Sequence, residues 1–454
     1  MCDPKDIYMV VRLLMPTHLF PARHAEPRVV VALDPVFFTG PDGTFKIHKG
    51  KIAYLVAAAR EFAAATGAEV CCPDDVDALY RSLTDQDVVA YPPMDRFVEA
   101  KLRGLRKLRT EPHPGFALRD YAGPAKLVSV YKAAREKTGI LVGARSQDAS
   151  NRAPPDRALL DGAPPLKKTL SAAARSAAAF ADRAYPDHFG DATACGYFPT
   201  TRRSALARLR AYARSGILLM KYQDAIVRGR DFLGHSALSA AINVGLLCPV
   251  EVCRAVVASG ASASDVEGFV RQVLGWRELM AVVYERRTPR INKAFSAFPR
   301  PKPAWYSGTT TLDPLDDAIE RTGRTAYMHH IERLMVALNA MVLSGYSAGT
   351  AYRWFTETVS IDAYDWVMIG NLSAMGYAQE TGSNVARKPY ISGSTYIVKM
   401  SQGFASGDWR DKWDALFYDH VRSNDVPYFR RVLAGRRYVE NERKFQAIRK
   451  ALRV

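Results

Sequence analysis

Two adjacent histidines, His329 and His330, sit in TAYMHHIERLMVALNAMVLSG (325–345), with Arg333 one turn further on. An imidazole can hold or give a proton near neutral pH, and a guanidinium beside it can fix a negative group. That combination suits proton transfer to a bound molecule, and it equally suits a hydrogen-bonded core histidine. Four other stretches carry reactive types. His235, Ser236 and Ser239 lie in HSALS, ahead of a run of small residues. Hydroxyls and free N–H groups at a helix start suit a phosphate, although serine there is also an ordinary cap. Trp276, Arg277 and Glu278 interrupt an apolar stretch over 266–284. A Trp beside an Arg can stack on a planar ring, or form a core Trp with an ion pair. Asp362 and Asp365 lie in the aromatic stretch 354–371, where a carboxylate can orient a ring N–H, pair with Arg333 or cap a helix. Tyr390 and Tyr396 flank a Ser/Gly turn in KPYISGSTYIVKM (388–400), which also reads as a packed loop.

These residues need elements to position them. Tyr327, Ile331, Leu334, Met335, Leu338 and Val342 recur at helical spacing, which predicts one helix across 325–345 with a buried face. His330 then falls at the edge of the apolar stripe, and His329 projects about 100° away from it. From 170 onward the pattern is helical almost throughout, as in 171–185, 202–213, 266–284 and the helix marked by Trp409, Trp413 and His420. Residues 1 to 135 instead alternate strand-like and helix-like runs, which predicts a parallel α/β sheet. The basic run KLRGLRKLR (101–109) reads as a solvated helix end. Residues 140–166, rich in Pro and small polar residues, read as a linker.

Lys and Arg number 63 against 46 Asp and Glu, a formal net charge of +17, which points to a polyanionic partner such as nucleic acid. No apolar run reaches the roughly 20 residues of a membrane span, and the N-terminus has no signal-peptide pattern, so an intracellular protein is expected. The 6 cysteines are scattered, without a CxxC pair. No GxGxxG or phosphate-binding loop motif is present.

Taken together, HSALS, VEGFVRQVLGWRE (266–278), AYMHHIERLM (326–335), WF followed by DAYDWV (354–367), and KPYISGSTYI (388–397) resemble the cryptochrome/photolyase family, in particular its prokaryotic (6-4) photolyase branch. The resemblance is strong from about 186 onward; before that, HKGKIAYL (48–55) carries it. It implies an α/β antenna-type domain over 1–139, a linker over 140–169 and a helical FAD-binding domain over 170–454. By position, Tyr222, His235, Ser236, Leu238, Ser239 and Arg277 would hold FAD, with Arg333, Asp362 and Asp365 at its ring and Met368 facing N5. His330 would transfer protons with His329 beside it. Trp276 and Tyr390 would face a flipped lesion. Trp354 would relay electrons, with Tyr396 nearby. The resemblance implies FAD-dependent, blue-light-driven repair of (6-4) photoproducts in UV-damaged DNA by a monomer, or a cryptochrome-like photoreceptor without repair.

The sequence also departs from that branch. An iron–sulfur cluster needs thiolates, and no cysteine follows Cys253, so no cluster and no metal are expected. Met368 stands where an acid is usual, Phe355 where a tyrosine is usual and Tyr306 where a relay tryptophan is usual. The first strand lacks the Gly-Asp-Gln ending, which weighs against a lumazine-type antenna. These readings predict flavin absorption bands and no iron in the purified protein. An absorption spectrum with an iron assay on the same sample checks both: iron with flavin would overturn the cysteine argument, and a colourless protein would favour a flavin-free DNA-binding protein.

Overall fold

Short apolar runs rich in Val and Leu build the first layer. The computed structural model describes residues 10–21, 26–162, 165–215, 220–359, 361–383, 385, 389–424 and 426–452. Strands β1 (Val11–Leu14), β2 (Arg28–Ala32), β3 (Glu69–Cys71), β4 (Asp87–Ala90) and β5 (Lys107–Thr110) form one parallel sheet in the order β3-β2-β1-β4-β5. β1 is buried along its whole length, as expected of a central strand covered on both faces. β5 corrects the reading of 101–109 as a helix end. The helix stops at Leu102, and Lys107–Thr110 pairs with β4 as an edge strand. Alternation turns Leu108 inward and leaves Lys107 and Arg109 exposed, which blunts the edge.

The helix Lys49–Thr66 returns from β2 to β3. It is buried on nearly every side over its first half, where its Ala-rich surface admits the sheet and the helix Ala172–Ala184. From 170 onward the described residues are mostly helical, as expected, but β6 (Ile226–Val227) pairs in parallel with β7 (Ser401–Gln402). Three helices widen into π turns, at Arg271–Trp276, Arg333–Leu338 and Phe355–Val359. Such turns often accompany functional sites, because they re-aim side chains within a helix.

The single helix expected across 325–345 is two elements. Asp313–Thr325 ends with Ala326 in the left-handed region (φ 55°), and a new helix begins at His330. Tertiary packing overrides the helical spacing here. The Tyr327 ring stacks on Phe232 at 5.0 Å, and the Ala326 carbonyl accepts from the Ile361 amide at 2.9 Å.

The two layers meet at the carboxyl ends of β1 and β4, the switch point where the strand order reverses. Leu19, after β1, donates its amide to the Val244 carbonyl at 2.8 Å. Glu278, fully buried, accepts the amides of Ala117 and Leu118, both at 3.0 Å. The linker docks as well: the Asp148 carboxylate pairs with Arg271, and Asn151 donates to the Ser264 carbonyl at 3.1 Å. Glu278→Ala strands two interface amides, so it should cost about 2–4 kcal/mol in chemical denaturation. Wild-type stability in that variant would refute the interface account.

Candidate functional site

Arg333 opens the second π turn. Its Nε donates to the Met328 carbonyl and an Nη donates to Asp362 Oδ1 at 2.8 Å. Asp362 arrives on the loop that follows the third π turn, which the Ile361–Ala326 hydrogen bond pins in place. Guanidinium and carboxylate keep 13% and 7% of their side-chain surface accessible, so the pair is sheltered but still reachable. Side by side they offer a donor and an acceptor to one edge of a planar heterocycle.

The histidines divide the work. His329 is buried immediately before the helix, with Nε2 3.1 Å from Glu332 Oε2 and Nδ1 buried without a hydrogen-bond partner. Burial works against the Glu332 carboxylate, yet Arg321 and then His329 outweigh it and hold its pKa down to about 2. The His235 ring meets His329 edge-on at 5.0 Å, and burial pushes the His235 pKa down to about 3. His330 has an accessible ring but is surrounded by protein, which sets it in the wall of a cleft and lowers its pKa to about 4. The Asn371 amide nitrogen donates to the Val367 carbonyl at 2.8 Å, so its Oδ1 faces His330 Nε2 at 3.2 Å. Neutral His330 therefore donates from Nε2–H, and Nδ1 is the basic nitrogen.

The HSALS segment forms a tight approach to this cleft. Leu233 and Ala237 adopt left-handed φ angles of 46° and 48°, with Gly234 at 69° between them. Such strain in residues with a Cβ concentrates at ligand sites. Ser236 Oγ accepts from the Leu238 amide at 3.4 Å, Leu238 is buried, and Ser239 opens the helix Ser239–Asn243. Met368 is buried on the helix Asp365–Ala374, one turn before Asn371.

Other expected site residues sit elsewhere or are engaged by protein. Asp365 is held by three protein donors. Its oxygens accept from Tyr352 at 2.8 Å, Tyr284 at 3.0 Å and the Arg96 amide at 3.0 Å. The Arg277 guanidinium donates to the Gly115 carbonyl and packs on Phe116 (4.3 Å) and Trp366 (4.9 Å), at the boundary between layers. The Tyr222 hydroxyl donates to Asp156 in the linker. Trp276, Tyr390 and Tyr396 are half-buried, and Lys388 lies outside the described residues. Trp354 is buried and donates from Nε1 to the Trp305 carbonyl at 2.8 Å, its ring 5.5 Å from that of Trp305. Trp305, rather than Tyr306, is thus its aromatic neighbour; the Tyr306 hydroxyl donates to Glu357 at 2.6 Å.

Sequence reasoning missed Glu332, Arg321, Asn371 and Trp305. Glu332 and Asn371 lay inside quoted motifs, whereas the Arg321–Glu332 contact has no local signal. Among the described residues, no group of three His, Cys, Asp or Glu side chains is placed to hold a metal ion.

No family model matches the chain. A (6-4) photolyase of Agrobacterium fabrum is 30% identical over 431 residues, spanning 83% of this chain and 84% of that protein. Among solved structures, a cryptochrome of Synechocystis sp. PCC6803 superimposes with a TM-score of 0.59 at 14% identity, over 86% of this chain and 88% of its own. An archaeal photolyase from Sulfolobus tokodaii with two FAD molecules gives 0.55 at 14% identity, over 89% and 90%. These two likenesses establish the shared fold.

A histidine whose folded pKa is depressed binds its proton later than the unfolded chain does. It therefore makes stability fall as pH drops from about 6.5 towards its folded value. For His235 that window runs down to about 3. His235→Gln should make the loss of stability between pH 6 and 5 shallower, by up to the linkage of one proton. Denaturation midpoints measured across that range check this, and an unaltered slope would show that His235 is not held neutral.

Proposed function

Because the chain belongs to the cryptochrome/photolyase family, we propose that it is a FAD-dependent, blue-light-driven enzyme repairing (6-4) pyrimidine photoproducts in DNA. The observation that carries this reading is the closeness of the Arg333–Asp362 pair to three histidines, His329 having Nδ1 buried without a hydrogen-bond partner. Buried polar atoms of that kind fit a bound group that supplies partners.

Bound FAD would supply the light-driven electron that the protein itself cannot. Arg333 and Asp362 would hold its ring edge, and His235, Ser236, Leu238 and Ser239 its chain. Met368 offers an apolar contact with no exchangeable proton. Neutral His330 can take a proton at Nδ1 and return it, as rearrangement of a (6-4) bond requires, while His329 beside Glu332 supports it. Trp276 and Tyr390 would receive the flipped base, since a lesion must leave the stack to reach a buried cofactor. The net charge of +17 suits the DNA backbone. The reading includes a monomer, the division at 139 and 170, and no iron–sulfur cluster. No helix among the described residues is long and apolar enough to cross a membrane.

A cryptochrome-like photoreceptor is the second reading, favoured by the buried Met368 and by the hydrogen bond that engages Tyr306 with Glu357. Purified protein carrying reduced FAD should repair a (6-4) oligonucleotide under blue light. His330→Ala should keep the flavin and lose at least about 100-fold in repair rate. No repair by the wild-type protein would sink the enzyme reading. A light-dependent change of oligomeric state without turnover would support the photoreceptor.

A further inference from the structure

The segment 357–365 carries Asp362, and the sheet layer grips it at successive points. The Glu357 carbonyl accepts the His48 amide at 2.8 Å, and Glu357 Oε1 accepts the Lys46 amide at 2.9 Å. Asp365 at the far end takes the Arg96 amide. Between these points Lys51 reaches in from the first turns of the helix Lys49–Thr66. Its Nζ donates to the Ala363 carbonyl, next to Asp362, and lies 4.6 Å from the centre of the Tyr364 ring. Lys51 is 2% exposed, and the carboxylates whose charges act on it are those of Asp362 and then Asp95.

A buried ammonium is costly to keep. A carbonyl and an aromatic face relieve only part of that cost. A chain that needed only packing here would do better with Met or Leu.

We propose that Lys51 is a positioning residue for the Arg333–Asp362 pair: it fixes the Asp362 loop from the sheet layer and adds a positive charge that favours an anionic bound ring. This rests on the FAD reading above. Lys51 and Arg333 bring two positive charges to one carboxylate, Asp362. The other charges nearby are balanced or muted. Asp365 faces Arg96, while burial, then the Asp365 charge, pushes the Asp95 pKa up to about 8. His48 on the same helix is pushed down to about 4 by burial and is neutral. Burial lowers the Lys51 pKa to about 8, with Asp362 and then Asp95 resisting, so its charge is present at neutral pH and is lost as pH rises through that value.

The test has two arms, with Lys49→Met as control because Lys49 forms a surface pair with Asp182. In flavin-free protein, amide hydrogen exchange over 361–364 should speed up at least tenfold in Lys51→Met. It should stay near wild type in Lys51→Gln, which keeps a donor for the Ala363 carbonyl, and in the control. Unchanged exchange in Lys51→Met overturns the positioning role, whether or not flavin binds. In flavin-loaded protein, the midpoint potential of the wild type should fall more steeply once pH passes about 8. Both Lys51 variants should start from a lower potential and show a smaller break, since Asp95 also titrates near that pH. A wild-type profile in the variants overturns the charge role. Should Lys51→Met not fold, the potential profile of Lys51→Gln decides. A wild-type protein that binds no flavin defeats the FAD reading and the charge role with it, while the exchange arm still judges positioning.

Discussion

A buried carboxylate is tolerable only when its lone pairs meet donors, and for three of the buried carboxylates in this molecule some of those donors come from the opposite layer. Glu278 and Asp365 from the helices, and Glu357 beside them, each accept a backbone amide from the sheet layer. None of these contacts is local in sequence. Each fixes both the distance and the register between layers, because an amide donates along one direction only. The helical layer can therefore present Asp362 to Arg333 only while the sheet layer holds the loop that carries it. The α/β layer is in this sense part of the site, whatever else its crevice does.

That crevice is largely filled by the chain itself. Phe20 and His113 pack edge-on at 5.1 Å, His113 and Phe116 at 4.9 Å, and Phe116 and Trp366 at 5.1 Å. Arg277 closes the row over Phe116 and Trp366. A parallel sheet commonly binds a ligand at such a switch point. Here the row of rings occupies it and docks one layer on the other.

Much of the fold could be read from the sequence because its signals are local. Alternating strand-like and helix-like runs over 1–135 give the parallel sheet, and the helical pattern from 170 onward gives the second layer. The Arg333–Asp362 pair was legible because both residues lie in motifs of fixed order. The reading failed where a distant partner decides. Tyr327 has the right spacing for a helix, yet Phe232 takes its ring and ends the helix before His330. Asp365 lies three residues from Asp362 and looked equivalent to it, but Tyr284, Tyr352 and Arg96 claim it. Lys107 and Arg109 look like a solvated helix end until β4 supplies the pairing partner. Lys51 gave no signal of its own, since a lysine at the third position of an Ala-rich helix ordinarily faces water.

Several unfavourable features converge on one cleft. Unpartnered buried polar atoms cost about 1–3 kcal/mol each, and non-glycine residues in the left-handed region cost of the order of 1–3 kcal/mol. His329 carries the first kind, and Leu233 and Ala237 carry the second. All three lie around the His235–His329 contact. The surrounding fold can keep such a conformation because interlayer hydrogen bonds over-determine it. A bound group that met His329 Nδ1 would remove part of the cost, so binding and stability at this cleft are linked through the same atom. The same link explains the neutral histidines. Desolvation lowers the pKa of His235 and of His330, so both are uncharged at neutral pH; the Tyr327 hydroxyl lies 3.5 Å from His235 Nδ1 and Asn371 engages His330 Nε2, which leaves Nδ1 of His330 open. A solvent-exposed imidazole would already be partly protonated under those conditions. Under the proposed repair reading, Nδ1 of His330 would be the atom that takes the proton before returning it.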